Sequence, residues 1–314
     1  MKKTMINQTH IEGVLYEHNL EAKVSGEASK NPGTPFIAGT ISIATDDAMT
    51  NIVPIHFSYV TATFGSGKPN DTYTTLSNIV NGTFGTYMKD GADKAVKLRV
   101  DSALGLNEFY TERNGKEELV SAKRNEGGFV HVADSLAEDE TIRNTFKCDM
   151  LITGVKEVEA DEEKKLPAKA IVRGAIFDFR GSLMPVEFSA VNPNAIKYFV
   201  GLGASNASPT FTCVWGRQVS ETIVREIRTE SAFGEDEVRE VKNTRKDFVI
   251  TGASKEPYIW DDETTLTANE VAEAVANRET YLATIKQRQD EYKASKGTAT
   301  ATAAAAPSKT GFNF

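Results

Sequence analysis

The densest run of residues able to grip a flexible polyanion with flat, stackable groups lies between positions 87 and 129. Aromatic and cationic side chains interleave there: Tyr87, Lys89, Lys94, Lys97, Arg99, Phe109, Tyr110, Arg113, Lys116, Lys123, Arg124 and Phe129. Ring faces can stack on nucleobases, each stack contributing about 1–3 kcal/mol with little dependence on base identity, while cations neutralise phosphates. Phe109 and Tyr110 are neighbours on an extended segment and must point to opposite faces, so at most one of them is core. Tyr59, Phe64 and Lys68 supply the same residue types upstream, and Arg173, Phe177, Phe179, Arg180, Trp215 and Arg217 supply them downstream. The alternative reading places half of these aromatics in the core and leaves the charges as an ordinary solvated hairpin.

Catalytic patterns are missing by comparison. Gly65-Ser66-Gly67-Lys68 fails the phosphate-loop pattern, because Ala62 stands where the first glycine belongs and Pro69 follows the lysine. Gly201-Leu202-Gly203 lacks a third glycine and follows a helical segment, the wrong context for a dinucleotide site. His10, His18, His56 and His131 have no Cys or His at ligand spacing. Asp46-Asp47 and Asp261-Asp262-Glu263 read as turn-capping or solvated acids rather than metal ligands. These observations predict a binding protein with no catalytic residue, cofactor or metal.

The elements that must position the aromatic and cationic residues come in two copies. Pro54-Ile55-His56-Phe57-Ser58-Tyr59-Val60 matches Pro185-Val186-Glu187-Phe188-Ser189-Ala190-Val191. A strand opened by glycine precedes each, at Gly39 and Gly174. A short helix with one apolar face follows each, at Leu76, Ile79, Val80 and at Ile196, Phe199, Val200. Asn192 before Pro193 is an N-cap followed by proline at the first helical position. In the first copy, strands are expected at 36–45 and 51–64 and a helix at 71–81. A hairpin then turns at Asn114-Gly115, a pair suited to a tight type I′ turn. In the second copy, strands are expected at 169–179 and 183–191, a helix at 193–202, and a hairpin around Phe233-Gly234-Glu235.

Both copies read β-β-β-α-β-β, the order of the OB-fold, a five-stranded Greek-key barrel. The predicted fold class is mainly β, with tandem OB-folds at 1–147 and 148–260, a C-terminal helix at 261–295, and an unstructured linker and aromatic tip at 296–314. Thr267 and Glu270 form a capping box for that helix. Its apolar positions Val271, Val275, Leu282, Ile285 and Tyr292 are interrupted by Arg278 and Gln289, a narrow seam that suits either the barrels or a second copy of itself. Beyond Gly297 the Thr/Ala/Pro/Ser composition cannot bury a core.

Composition sets outer bounds. The 314 residues carry 36 Lys+Arg against 44 Asp+Glu, a net charge of −8, which excludes a wholesale basic coat. Residues 1–147 hold 15 basic and 19 acidic side chains and residues 148–260 hold 15 and 17, so a basic groove requires segregation of charge. No apolar run approaches a membrane span, and no secretory signal is read at the N-terminus. Two cysteines, Cys148 and Cys213, make no disulfide framework. A cytoplasmic setting is expected.

The run Gly105-Leu106-Asn107-Glu108-Phe109-Tyr110 with Arg113-Asn114-Gly115-Lys116 resembles the long hairpin between the last two strands of bacterial single-stranded-DNA-binding proteins. The layout of barrel, low-complexity linker and tip ending in Phe resembles the same family, and the sequence resembles members carried by phages and prophages. The resemblance implies single-stranded-DNA binding in replication or recombination, in the host cytoplasm. Partner proteins would be recruited through Phe312 and Phe314, and a homo-oligomer is compatible with the family. Two departures stand out: there are two barrels in one chain, and no acidic run precedes the terminal Phe. The competing class is a structural or assembly protein using the barrels as protein-binding modules.

Overall fold

Strict alternation of apolar residues builds the first half of the molecule. Ile37, Ile41 and Ile43 of β3 (Pro35–Ala44) and Val53, Ile55 and Phe57 of β4 (Ile52–Thr61) are buried on one face of the sheet. Ile11 and Leu15 of β1 (Asn7–His18), with Leu98 and Val100 of β5 (Lys97–Arg113), complete the lining, and Val130 of β6 (Lys116–Val132) closes it. A short β2 (Glu21–Val24) extends the edge of β3. Leu76 and Ile79 of α1 (Asp71–Val80) plug the barrel end, and a one-turn α2 (Tyr87–Asp90) follows. The computed structural model describes residues 4–27, 29–161, 167–178, 181–229, 233 and 237–304, with the backbone alone at 221–229, 237–238, 240–245 and 295–304.

Pairing runs β1–β3–β4–β6–β5 and back to β1, antiparallel except for the parallel β4–β6 contact. The second half repeats it. There, β7 (Asn144–Val158), β8 (Lys169–Phe177), β9 (Leu183–Ala190), β11 (Glu237–Ala253) and β10 (Thr210–Thr229) close back onto β7, with β9–β11 again parallel. This five-strand closure with a helix after the third barrel strand is the OB-fold, present twice. The prolines of the repeat occupy the same register, Ser42↔Pro54 and Ala175↔Pro185. The glycines do not: Gly174 pairs with Val186, one residue after its proline, whereas Gly39 pairs with Phe57, three after. In the second copy α3 (Pro193–Gly201) begins as expected, the Asn192 side chain accepting the Asn194 N–H at 2.9 Å.

The barrels are joined edge to edge. Asn7 to Ile11 of β1 pair antiparallel with Cys148 to Asn144 of β7, making one continuous 11-stranded sheet. The long β5–β6 hairpin also reaches across: Leu104 lies in the same buried cluster as Phe146, Phe188 and Phe248 of the second barrel. Its turn has φ of 54° at Asn114 and 73° at Gly115, the left-handed pair that a type I′ turn demands.

Helix α4 (Ala268–Ala304) starts with the expected capping box, Glu270 Oε2 accepting the Thr267 N–H at 3.0 Å and Thr267 Oγ1 accepting the Glu270 N–H at 3.3 Å. It lies on the barrels, against β5 and β9. Its inward face keeps part of the expected apolar seam, with Val271, Leu282 and Ile285 half-buried and Val271 packed against the Phe177–Phe211 cluster. Arg278 and Gln289 make its most specific contacts, while Val275 and Tyr292 are exposed. The helix continues through Ala304, past the expected start of the linker.

Candidate nucleic-acid interface

The outer face of β3 and β4 in the first barrel carries an aromatic pair, Tyr59 exposed and Phe36 half-buried. Phe36 and Tyr59 lie with ring centroids 4.6 Å apart, and Tyr59 is 48% exposed. The register slips between Ile37 and Gly39, which brings the two rings together although Phe36 is paired with Thr61. The Tyr59 hydroxyl and Ser25 Oγ lie 3.1 Å apart, tying the ring to the loop after β2. Beyond β4 the chain turns tightly, the Phe64 N–H donating to the Lys68 carbonyl at 2.8 Å, and leaves Phe64 and Lys68 exposed. His56 and Thr40 sit on the same outer face, Nδ1 and Oγ1 3.3 Å apart. Burial, helped by the nearby Arg124 guanidinium, pulls the His56 pKa down against the opposing pull of Glu126, so the ring is neutral at neutral pH.

The β5–β6 hairpin splits its predicted residues between two roles. Phe109 is exposed, and Arg113 and Lys116 flank the exposed tip. Tyr110 is turned toward α4, with Lys286 Nζ 5.6 Å from its ring centroid. Its backbone N–H donates to Gln289 Oε1 at 3.0 Å, and its carbonyl accepts from Gln289 Nε2. That amide caps the outer edge of β5 beyond the stretch paired with β1.

Lys123 and Arg124, expected to contact phosphate, are both engaged within the protein. The Lys123 ammonium lies 5.3 Å from the Phe188 centroid and 5.0 Å from that of Phe248, and donates to the Glu187 carbonyl. Burial between the barrels lowers its pKa, with Asp247 and Glu187 opposing the shift. Arg124 Nε donates to Glu126 at 2.6 Å.

The remaining predicted residues are dispersed. Tyr87 stacks on Tyr16 at 5.5 Å, and Lys97 and Arg99 are exposed on β5, Arg99 pairing with Glu12 at 3.2 Å. Trp215 and Arg217 are exposed on β10. Arg173 pairs with Glu187 at 2.6 Å on the outer face of the second barrel. Phe177 is core, 4% exposed and packed with Leu151, Phe211, Leu266 and Ala274 beneath α4, so it offers no stacking face. Phe179, Arg180, Phe312 and Phe314 lie outside the described residues. The spacing did not reveal Phe36, because only the extra residue in β4 turns Tyr59 outward beside it; an aromatic three residues before a strand glycine is the signal that was available.

The acids of these turns and strands hold structure. Glu12 accepts from the Ala137 N–H and from Arg99. Burial would raise its pKa, but the Ala137 N–H and the Arg99 guanidinium outweigh that and hold the carboxyl below the usual range. Asp46 accepts the Thr50 and Asn51 N–H groups, and Asp262 accepts that of Thr264, as turn caps. Among the described residues no group of three or more His, Cys, Asp or Glu is placed to hold a metal ion, and no helix is long and apolar enough to cross a membrane.

Two closed five-stranded barrels with exposed aromatics on the β3–β4 face define a tandem OB-fold protein. The chain belongs to the YorF family, whose model matches residues 6–288. No curated protein sequence matches the chain. Among solved structures it is similar to the wild-type single-stranded DNA binding protein from Thermus aquaticus. That match has 10% identity and a TM-score of 0.44, and covers 82% of this chain and 96% of that one. A deletion mutant of the same protein matches at 11% identity and a TM-score of 0.43, covering 81% and 95%. A replication protein A heterotrimer bound to ssDNA matches at 11% identity and a TM-score of 0.23, covering 89% and 69%. At this level of likeness the surface itself carries the functional reading.

Proposed function

We propose that this chain binds single-stranded DNA with little sequence preference. The observation that carries the reading is the Phe36–Tyr59 pair, Tyr59 exposed and Phe36 half-buried, on the face formed by the second and third barrel strands, where OB-folds take oligonucleotides. Phe64 and Lys68 extend that face, and Phe109, Arg113 and Lys116 stand on the loop between the last two strands. Bases stack on the rings and phosphates meet the exposed cations; the role is binding, without catalysis.

In this proposal the two barrels, expected at 1–147 and 148–260 and meeting at the start of β7, are two binding units, the helix expected at 261–295 is a brace, and the segment 296–314 ends in a tip whose Phe312 and Phe314 recruit replication or recombination proteins of a phage in its host's cytoplasm. A gel shift with labelled oligo(dT) over a salt series tests the binding. Micromolar or tighter affinity that falls steeply with salt is expected, and no shift at low salt overturns it.

A further inference from the structure

We infer that the outer face of the sheet where the two barrels join is a second contact surface for single-stranded nucleic acid, with Trp215 as its stacking platform. The inference rests on the function proposed above and extends the bound strand from one barrel to the other.

The surface follows from register. Trp215 pairs with Lys147 across β10–β7, and Lys147 with Gln8 across β7–β1. Two residues along, His10 pairs with Thr145 on one side and with Asp101 on the other, and Asp101 pairs with Phe129. Residues directly opposite in antiparallel strands share a face. The alternate positions Ile11, Val100, Val130, Phe146 and Val214 are buried in the two cores, so Trp215, Lys147, His10 and Phe129 all point outward. Six adjacent strands, β6–β5–β1–β7–β10–β11, therefore share one outer face across the junction, covered at Glu12 by the β6–β7 connection, whose Ala137 N–H donates to the Glu12 carboxylate.

Trp215 is held as a platform. A Cβ built on Gly252, its partner on β11, would lie 2.3 Å from the indole Nε1 and 2.5 Å from Cε2, so the ring lies over the bare glycine backbone. Even so, it remains 40% exposed. Phe129, 58% exposed, stands four strands away, roughly 19 Å at about 4.8 Å per strand. Two stackable rings thus bracket the junction.

Charge selects the occupant. On a chain of net charge −8, this face carries exposed Lys97, Lys147 and Arg217, besides Arg99, which is paired with Glu12. Its carboxylates are occupied within the protein: buried Glu12 takes Arg99, and Asp101 Oδ1 lies 2.7 Å from His10 Nδ1. Asp139 of the β6–β7 connection shares the field of Arg217. A strip with these cations and two separated rings matches a polyanion bearing bases. A second copy of the chain would set the same strip against itself and bury little apolar surface.

The full chain holds two tryptophans, Trp215 and Trp260, so W260F makes Trp215 the sole indole reporter. On titration with oligo(dT), Trp215 emission should be quenched, and W215A should weaken binding roughly 5-fold or more while W215F largely retains it. If W260F does not fold, the same quench is read as the difference between wild type and W215F. Should wild type bind oligo(dT) with Trp215 emission and W215A affinity both unchanged, this surface is refuted and the proposed function stands. Should wild type not bind at all, both fail. A W215A variant that loses only self-association in sedimentation, with oligo(dT) affinity intact, also overturns the inference in favour of a second copy.

Discussion

Asn125 of the first barrel and Gln218 of the second exchange two side-chain hydrogen bonds of 2.8 Å, each amide donating to the other, at 2% and 6% exposure. The Gln218 carbonyl further accepts from Asn51 and Asn144, and the Ser220 N–H donates to Asn51 Oδ1. A polar clasp thus holds β10 against the first barrel, while Leu104 of β5 enters the apolar core of the second. The two halves lock by unlike chemistry on the two sides of one seam.

Removing one partner of the clasp leaves the other amide buried without its reciprocal partner, Asn125 keeping only the Pro54 carbonyl. N125A or Q218A should each cost about 1–3 kcal/mol in urea unfolding, and the double change should cost less than the sum of the two. Additive losses would show that the pair is not coupled.

Arg278 of α4 and Glu108 of β5 form a second buried lock, with Nη2 and Oε1 2.5 Å apart and side chains 13% and 1% exposed. R278A strands the Glu108 carboxylate and should destabilise by about 3–5 kcal/mol, whereas the paired change R278M with E108Q should recover most of that. Equal stability of both variants would contradict a tightly paired contact.

Glu12 sets an acid limit. Its carboxyl titrates below the usual range in the folded chain, so its contribution is fully present above the unperturbed glutamate value of about 4.3 and is lost as pH falls through the lower folded value. E12Q should therefore be less stable than wild type at neutral pH and should show a shallower stability loss on acidification. Thermal unfolding at a series of pH values reads both; parallel curves would contradict the assignment.

Lys123 separates structural from binding cations. Its ammonium faces Phe188, Phe248 and the Glu187 carbonyl, away from the proposed strand path. K123M, which keeps the alkyl stem and removes the charge, should leave oligo(dT) affinity within about twofold, while K68E should weaken it and flatten its salt dependence. Equal effects of the two changes would return Lys123 to the interface.

Local rules made much of the fold legible. The Asn114-Gly115 turn, the Asn192 cap, the Thr267–Glu270 box and the aligned prolines all depend on a few neighbouring residues, and all stand where expected. The misreadings arise from long-range packing. Spacing cannot show that the β5–β6 hairpin crosses to the other barrel and draws Lys123 into a cleft, or that α4 covers Phe177. The interruptions Arg278 and Gln289 looked like flaws in an apolar seam because their partners, Glu108 and the Tyr110 backbone, lie 170 and 179 residues away. The adjacent pair Phe109 and Tyr110 split as strand geometry requires, one exposed and one against α4.

Fluorescence anisotropy of labelled oligo(dT) with wild type and Y59A, at low and physiological salt, tests the central claim most directly. Wild type should bind at micromolar concentration or tighter and lose affinity steeply with salt, and Y59A should bind roughly 5-fold or more weakly while unfolding at the same urea concentration. Absence of binding by wild type at low salt, or identical affinity of a folded Y59A, would contradict it.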